Sequence, residues 1–245
     1  MRPALYAILS FDLLLLLAVG AASSALARAA LRPLVLARQR EERFAADVAH
    51  ELRTPLGAIA SVAQAAVGED PAAVRASFAT IARRALECSA LIGDLLTLAR
   101  GSDRDALVRE PVDLAMLTER VVREAEANAN ANALTNAIVD GDERRLLQLV
   151  RNLVWNAQRY ARSRVTIRLE AQAERAILAV EDDGPGVAPE LLTRLFERFA
   201  KGADSPGSGL GLAICRWVAR AHGGEIVYER GSRFVVALPL AGHLE

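Results

Sequence analysis

The sequence predicts an α+β chain of several domains, and three patterns carry that prediction. An almost unbroken apolar run opens the chain, two long stretches with apolar residues every three or four positions follow, and the C-terminal half mixes helical periodicity with short alternating segments bounded by glycines. At 245 residues there is room for one or two domains with a sizeable core. The formal charge balances to +0, which gives no bulk electrostatic case for binding nucleic acid. The two cysteines, Cys88 and Cys215, sit in apolar helical patterns without metal-ligand spacing and read as buried thiols in a reducing compartment.

Leu5 to Leu26 is long enough and apolar enough to cross a bilayer as a helix. Asp12 opposes that reading, since a carboxylate within the hydrocarbon costs roughly 2.5 to 3.5 kcal/mol. A signal peptide cleaved near Ser24-Ala25-Leu26-Ala27 is the alternative. The arginines that follow (Arg28, Arg32, Arg38, Arg40 and Arg43) favour a single-pass anchor in the cytoplasmic membrane, with the remainder of the chain on the cytoplasmic side.

Between Leu31 and Gly68 the spacing predicts a long helix. Leu31, Leu34, Ala45, Val48, Leu52, Ile59, Val62 and Ala66 follow a 3,4 seam interrupted by Arg38, Glu41 and Pro55, and His50 falls on the far side of it. An imidazole held in water there has a ring nitrogen free to attack. Glu51 can accept its other N–H, and Thr54, one turn on, can orient a water. Pro55 is expected to kink or loosen the helix. Gly68-Glu-Asp-Pro71 reads as a turn, and a second helix over about 72–100 carries Phe78, Ile81, Ala85, Cys88, Ile92, Leu95 and Ala99 on its seam, with Leu91 and Leu98 beside it. Two such helices leave apolar seams uncovered, and doubling through two-fold symmetry gives a four-helix bundle, hence a homodimer.

Residues 101–110 read as a linker. A helix over 114–127, a low-complexity Asn/Ala stretch at 128–133 and a short apolar run at 137–139 precede a helix from Asp142 to Ala161, which places Asn152 and Asn156 one turn apart on one face, with Arg159 and Tyr160 just beyond. Amide oxygens suit a hydrated Mg²⁺. Alternating strands at 164–169 and 176–181 run into Asp182-Asp-Gly-Pro-Gly186, where a carboxylate can accept from an exocyclic amine and Gly184 and Gly186 permit close approach. Ala200–Pro206 reads as a flap, Gly207-Ser-Gly-Leu-Gly211 opens a helix whose N-terminal amides can hold phosphate, and 225–230 with 233–238 form a closing hairpin.

His50-Glu-Leu-Arg-Thr-Pro-Leu56 resembles the phospho-accepting H-box of sensor histidine kinases at every position, and the downstream segments resemble the N, G1, F and G2 boxes of that family in the family's order. The resemblance implies a dimerisation and phosphotransfer region over 31–102, behind a membrane-proximal segment at 1–30. It also implies an α/β sandwich ATP-binding domain of the histidine kinase, gyrase and Hsp90 type over 111–245. His50, Glu51 and Thr54 would be catalytic, and Asn156 would coordinate Mg²⁺ with Asn152 supporting it. Arg159 would contact phosphate and Tyr160 would pack on adenine. Asp182 would read the adenine amine, with Gly184 and Gly186 shaping that pocket. Phe196 and Phe199 would anchor the lid, Lys201 and Arg198 would reach the phosphates, and Gly207, Gly209, Leu210 and Gly211 would bound the phosphate side. ATP and Mg²⁺ are the implied cofactors, and a response-regulator receiver domain is the implied partner. The region between the first helix of the ATP domain and Asp142 is shorter than usual in the family, so one strand or its hairpin is expected to be missing or replaced by the Asn/Ala stretch. That shortening favours the alternative of a catalytically degenerate dimeric scaffold. Against the family pattern neither a relay module before the H-box nor a sensor domain before the span is expected, so that either the gene is minimal or truncated or signals would enter through the membrane helix or a partner.

Overall fold

The computed structural model describes residues 42–67, 70–100, 107–125, 129–202, 205 and 207–242, with scattered positions (23, 28, 31, 32, 35, 38 and 39) before them. They fall in two compact units, Met1–Ser61 and Val62–Glu245. The expected span over 5–26 lies, position 23 apart, outside the described residues; among the described residues no helix is long and apolar enough to cross a membrane.

Helix α1 occupies residues 42–65. Val48, Leu52, Pro55, Ile59 and Val62 are half-buried, while His50, Arg53 and Thr54 are exposed, so the histidine stands off the sheltered stripe; of the expected seam, Leu31 and Ala45 are themselves exposed. Pro55 lies on the sheltered stripe, and the helix continues past it. The ring removes a single donor, the one that would have reached the carbonyl of Glu51, and the remaining turns supply their own bonds.

Helix α2 is Pro71–Arg100. Asp70 caps it, accepting from Ala72 N at 2.8 Å and Ala73 N at 3.1 Å. Its buried row keeps Cys88 and Leu95 of the expected seam and takes Leu91 and Leu98 from beside it, whereas Phe78 and Ile92, also expected on the seam, are 66% and 46% exposed. The cause is tertiary. The C-terminal turns of α2 lie against the α/β domain that follows, and that contact selects the 91/95/98 row.

That domain is built on a five-stranded sheet in the order β2-β4-β5-β7-β6, from Ala129–Leu134 (β2), Val165–Gln172 (β4), Arg175–Asp182 (β5), Glu225–Glu229 (β6) and Arg233–Pro239 (β7). β2 and β4 run parallel; the other neighbours are antiparallel. A separate two-stranded ribbon pairs β1 (Glu110–Asp113) with β3 (Ile138–Gly141). Of the two expectations for this region, a missing strand or one supplied by the Asn/Ala stretch, the second holds: the stretch forms β2, paired from Ala129 opposite Val165 to Leu134 opposite Leu169. The linker expected to reach Glu110 likewise gives way to β1 at that residue.

Helices α3 (Leu114–Glu124), α4 (Glu143–Tyr160) and α6 (Gly211–Ala221) make the second layer, with a single short turn, α5 (Pro189–Leu192), beyond β5. Asp113 and Asp142 cap α3 and α4 by accepting from Ala115 N, Met116 N and Arg145 N. The core forms where Val165, Ile167 and Leu169 of β4, Leu178 and Val180 of β5 and Phe234, Val236 and Leu238 of β7 meet Leu146, Leu149, Val150, Leu153, Val154 and Ala157 of α4 and Ile214 and Val218 of α6, all nearly inaccessible. Each fully buried Val, Leu or Phe among them contributes about 1.5–3 kcal/mol.

His222, which ends α6, is 2% exposed. Its Nδ1 lies 2.8 Å from the Val218 carbonyl, and its Nε2 accepts from Asp142 N at 3.0 Å, joining the end of α6 to the start of α4. The ring is thus the neutral Nδ1–H tautomer, and burial depresses its pKa below the ordinary value. The unfolded chain takes up a proton near pH 6.5 while folded His222 does not, so this site leaves stability whole above about pH 6.5 and erodes it as pH falls toward the depressed folded value. Urea midpoints at pH 7.5 and 5.5 are expected to differ less in His222→Asn than in the parent protein; an unchanged difference would remove the histidine from the account.

Candidate nucleotide site

The amphipathic pattern of α4 builds the site. Burying 146, 149, 150, 153, 154 and 157 against the sheet turns the opposite face outward, and there Asn152, Trp155, Asn156, Arg159 and Tyr160 line one open cavity of about 470 Å³. Asn152 donates from Nδ2 to the Gly211 carbonyl at 3.3 Å, which leaves its amide oxygen for the cavity. Asn156 is half-buried and bonds to no protein group among the described residues. Arg159 lies over the glycine loop, 2.6 Å from where a Cβ on Gly207 would stand.

At the far end of α4, β5 delivers Asp182, which is 7% exposed. Burial raises its carboxyl pKa; the Gly184 amide, donating at 2.9 Å, and the Ser232 hydroxyl oppose the shift, and the neighbouring Asp183 and Glu181 add to it. Asp183 does different work. It accepts from the backbone of Arg162, Ser163 and Arg164 and from the Ser163 hydroxyl, which holds its carboxyl well below the usual range and fixes the turn that leaves α4. Gly184 is wedged between these parts, because a Cβ there would strike the Tyr160 carbonyl oxygen and stand 2.5 Å from Asp182 Oδ1. Gly184→Ala is therefore expected to cost about 1–3 kcal/mol, read as a lowered urea midpoint, and to weaken ligand binding by displacing Asp182. An unshifted midpoint would show that the wedge is not tight.

The remaining wall is loop. Phe196 meets Phe234 edge-on at 6.4 Å between ring centres, and Tyr228, packed on Phe234 at 5.1 Å, accepts from Val187 N at 3.1 Å. Phe199 has φ 61° and backs onto Gly209, φ 69°, where a Cβ would sit 2.8 Å from Phe199 Cα. Lys201 Nζ donates to the Gly207 carbonyl at 3.3 Å, whereas Arg198 turns to the Leu98 carbonyl of α2 at 3.0 Å. No side chain caps α6, so the amides that begin at Gly211 and Leu212, both lining the cavity, remain available to an anion.

The cavity thus gathers Asn152, Asn156, Arg159, Tyr160, Asp182, Gly186, Lys201, Gly207, Gly209 and Gly211. Gly184, Phe196, Phe199 and Leu210 support the wall without lining it, Leu210 being wholly buried under the start of α6. Positions 203, 204 and 206 of the expected flap lie outside the described residues. His50, Glu51 and Thr54 belong to the other compact unit, where Thr54 Oγ1 donates to the His50 carbonyl at 3.5 Å, a long bond that leaves the exposed ring untouched. Trp155, Tyr228, Ser232 and Asp94 also line the cavity. Trp155 was findable, since it lies three residues from Asn152 and four from Arg159 on the same face. Asp94 comes from α2 and left no local signal.

Amide oxygens and a carboxylate are the hard donors Mg²⁺ takes. Among the described residues no group of three or more His, Cys, Asp or Glu is placed to hold a metal ion.

Residues 40–104 match the His Kinase A (phospho-acceptor) domain, and residues 141–242 match the histidine kinase-, DNA gyrase B-, and HSP90-like ATPase family. The chain belongs to the sensor histidine kinase family. It is 36% identical over 228 residues to the probable sensor histidine kinase TcrY of Mycobacterium tuberculosis, covering 84% of this chain and 48% of TcrY. It is 38% identical over 215 residues to the sensor protein kinase PmrB of Pseudomonas aeruginosa, covering 82% and 45%. The solved Acinetobacter baumannii histidine kinase AdeS superposes with a TM-score of 0.63 at 28% identity, covering 79% of this chain and 98% of that one. This family member spans just under half the length of those two curated relatives.

Proposed function

We propose that the protein is an ATP-dependent histidine autokinase that passes its phosphoryl group to an aspartate of a response-regulator receiver domain. The observation that carries this reading is one cavity uniting two helix-borne amides, a buried carboxylate and an uncapped glycine-led helix start, in a chain that also presents an exposed His50 within His-Glu-Leu-Arg-Thr-Pro-Leu.

Asp182 accepts from the adenine amine, Tyr160 packs on the base, and Arg159, Lys201 and the α6 amides hold the phosphates. Asn156, with Asn152 in support, would hold Mg²⁺, which when bound would supply charge neutralisation on the phosphates. The His50 ring nitrogen attacks the γ-phosphorus in line: a P–N bond forms, the bond to the β,γ-bridging oxygen breaks, and ADP leaves. Glu51 accepts from the other ring N–H and stabilises the developing positive charge. Transfer breaks the P–N bond and makes an acyl phosphate on the regulator. Thr54, once its hydroxyl turns from the His50 carbonyl, orients water for the reverse hydrolysis.

The functional unit is a homodimer, supported by the outer face of α2, where Phe78, Leu86, Ile92 and Leu96 are exposed. It is anchored through residues 1–30, with phosphotransfer helices over 31–102 and the ATP domain over 111–245. Incubating the protein with Mg²⁺ and γ-labelled ATP tests the reading. An acid-labile, alkali-stable label is the expected result, and a protein that binds ATP yet takes no label would overturn it.

A further inference from the structure

The cavity has two carboxylates among its described lining residues, Asp182 and Asp94. They serve opposite ends of α4. Asp182 neighbours Gly184 at the Tyr160 carbonyl, whereas Asp94 Oδ1 accepts from Gln148 Nε2 at 2.9 Å, about three turns or roughly 18 Å of helix rise away. Gln148 and Asn152 are one turn apart on α4, so Asp94 stands at the amide end of the cavity, where the nucleotide's metal belongs on the reading above. Its second oxygen, Oδ2, has no protein hydrogen bond among the described residues, although the residue is half-buried.

A hydrated Mg²⁺ is usually held by one or two carboxylates plus phosphates, and the two asparagines of α4 bring no charge. We infer that Asp94, carried by α2, supplies the missing carboxylate to the hydration shell of the nucleotide's Mg²⁺ and so makes metal-nucleotide binding fasten the end of α2 to the ATP domain. The fastening has a ready seat. Thr97 Oγ1 accepts from Arg145 Nη1 at 2.8 Å, with that guanidinium 5.4 Å over the Trp217 ring, and Arg198 at the base of the lid holds the Leu98 carbonyl. Asp94 is a positioning residue in this account, acting through the metal's water and not on the reacting phosphorus. The inference rests on the nucleotide reading of the cavity.

The test is Asp94→Asn in the full chain, which removes the charge and keeps an oxygen for Gln148. Calorimetry with ADP in EDTA and with ADP plus Mg²⁺ gives the factor by which the metal strengthens binding. That factor is expected to fall about tenfold in the variant while the affinity in EDTA stays unchanged. Hydrogen exchange of the 95–98 amides is expected to slow on adding Mg²⁺–ADP in the parent protein and not in the variant. An undiminished factor in Asp94→Asn overturns the inference and leaves the nucleotide reading standing. A parent protein that binds no ADP in either condition overturns both.

Discussion

His50→Gln is expected to reduce acid-labile labelling from γ-labelled ATP to background, a loss on the order of a thousandfold or more, because an amide has no lone pair basic enough to replace an attacking imidazole. Its value as a test lies in what should not change. His50 is exposed on α1, so the substitution should move stability by no more than about 0.5 kcal/mol, and ADP affinity should match the parent's. The other described histidine, His222, cannot substitute as acceptor: it is 2% exposed and engages Val218 and Asp142 through its two nitrogens. Label persisting in His50→Gln would move the acceptor elsewhere and end the proposed mechanism.

Asn156→Ala carries the second large effect. The side chain is half-buried and bonds to no protein group among the described residues, so removing it should cost the fold little. Loss of the amide oxygen should weaken Mg²⁺-dependent nucleotide binding about a hundredfold and abolish labelling. Asn156→Asp separates metal holding from mere space filling, since it restores an oxygen donor beside the phosphates at the cost of an added negative charge and should recover binding in part. Gel filtration should show the same assembly state for all three proteins. Full labelling by Asn156→Ala would refute the metal assignment.

Much of this site was legible because its parts obey local rules. The period of α4 alone puts Asn152, Asn156 and Arg159 on one face, and capping by Asp142 fixes where the helix starts. The glycines at 184, 207 and 209 announce backbone that other residues cannot enter. What escaped reading depends on partners distant in sequence. β2 has almost no apolar residue larger than alanine, and it is a strand because the edge of β4 offers it a hydrogen-bonding ladder. β1 buries one side chain well, Val112, and contains Pro111, so only its ribbon with β3 defines it. Helix α2 offered two apolar rows of similar quality, and the choice between them belongs to α4, α6 and Arg198, as does the presence of Asp94 in the cavity. β2 stands where a missing strand would have favoured a degenerate scaffold.

The outermost strand of the sheet has a composition with an evolutionary corollary. Asn and Ala alternate from 128 to 133 with a repeat of two, the same interval at which a strand repeats, so gaining or losing an Asn-Ala pair keeps the strand's period and shifts the neighbouring loop. The ladder is already irregular between Ala131 and Leu134. Length variation in this lineage should therefore accumulate here, at an edge of the sheet that contributes no described residue to the ligand cavity.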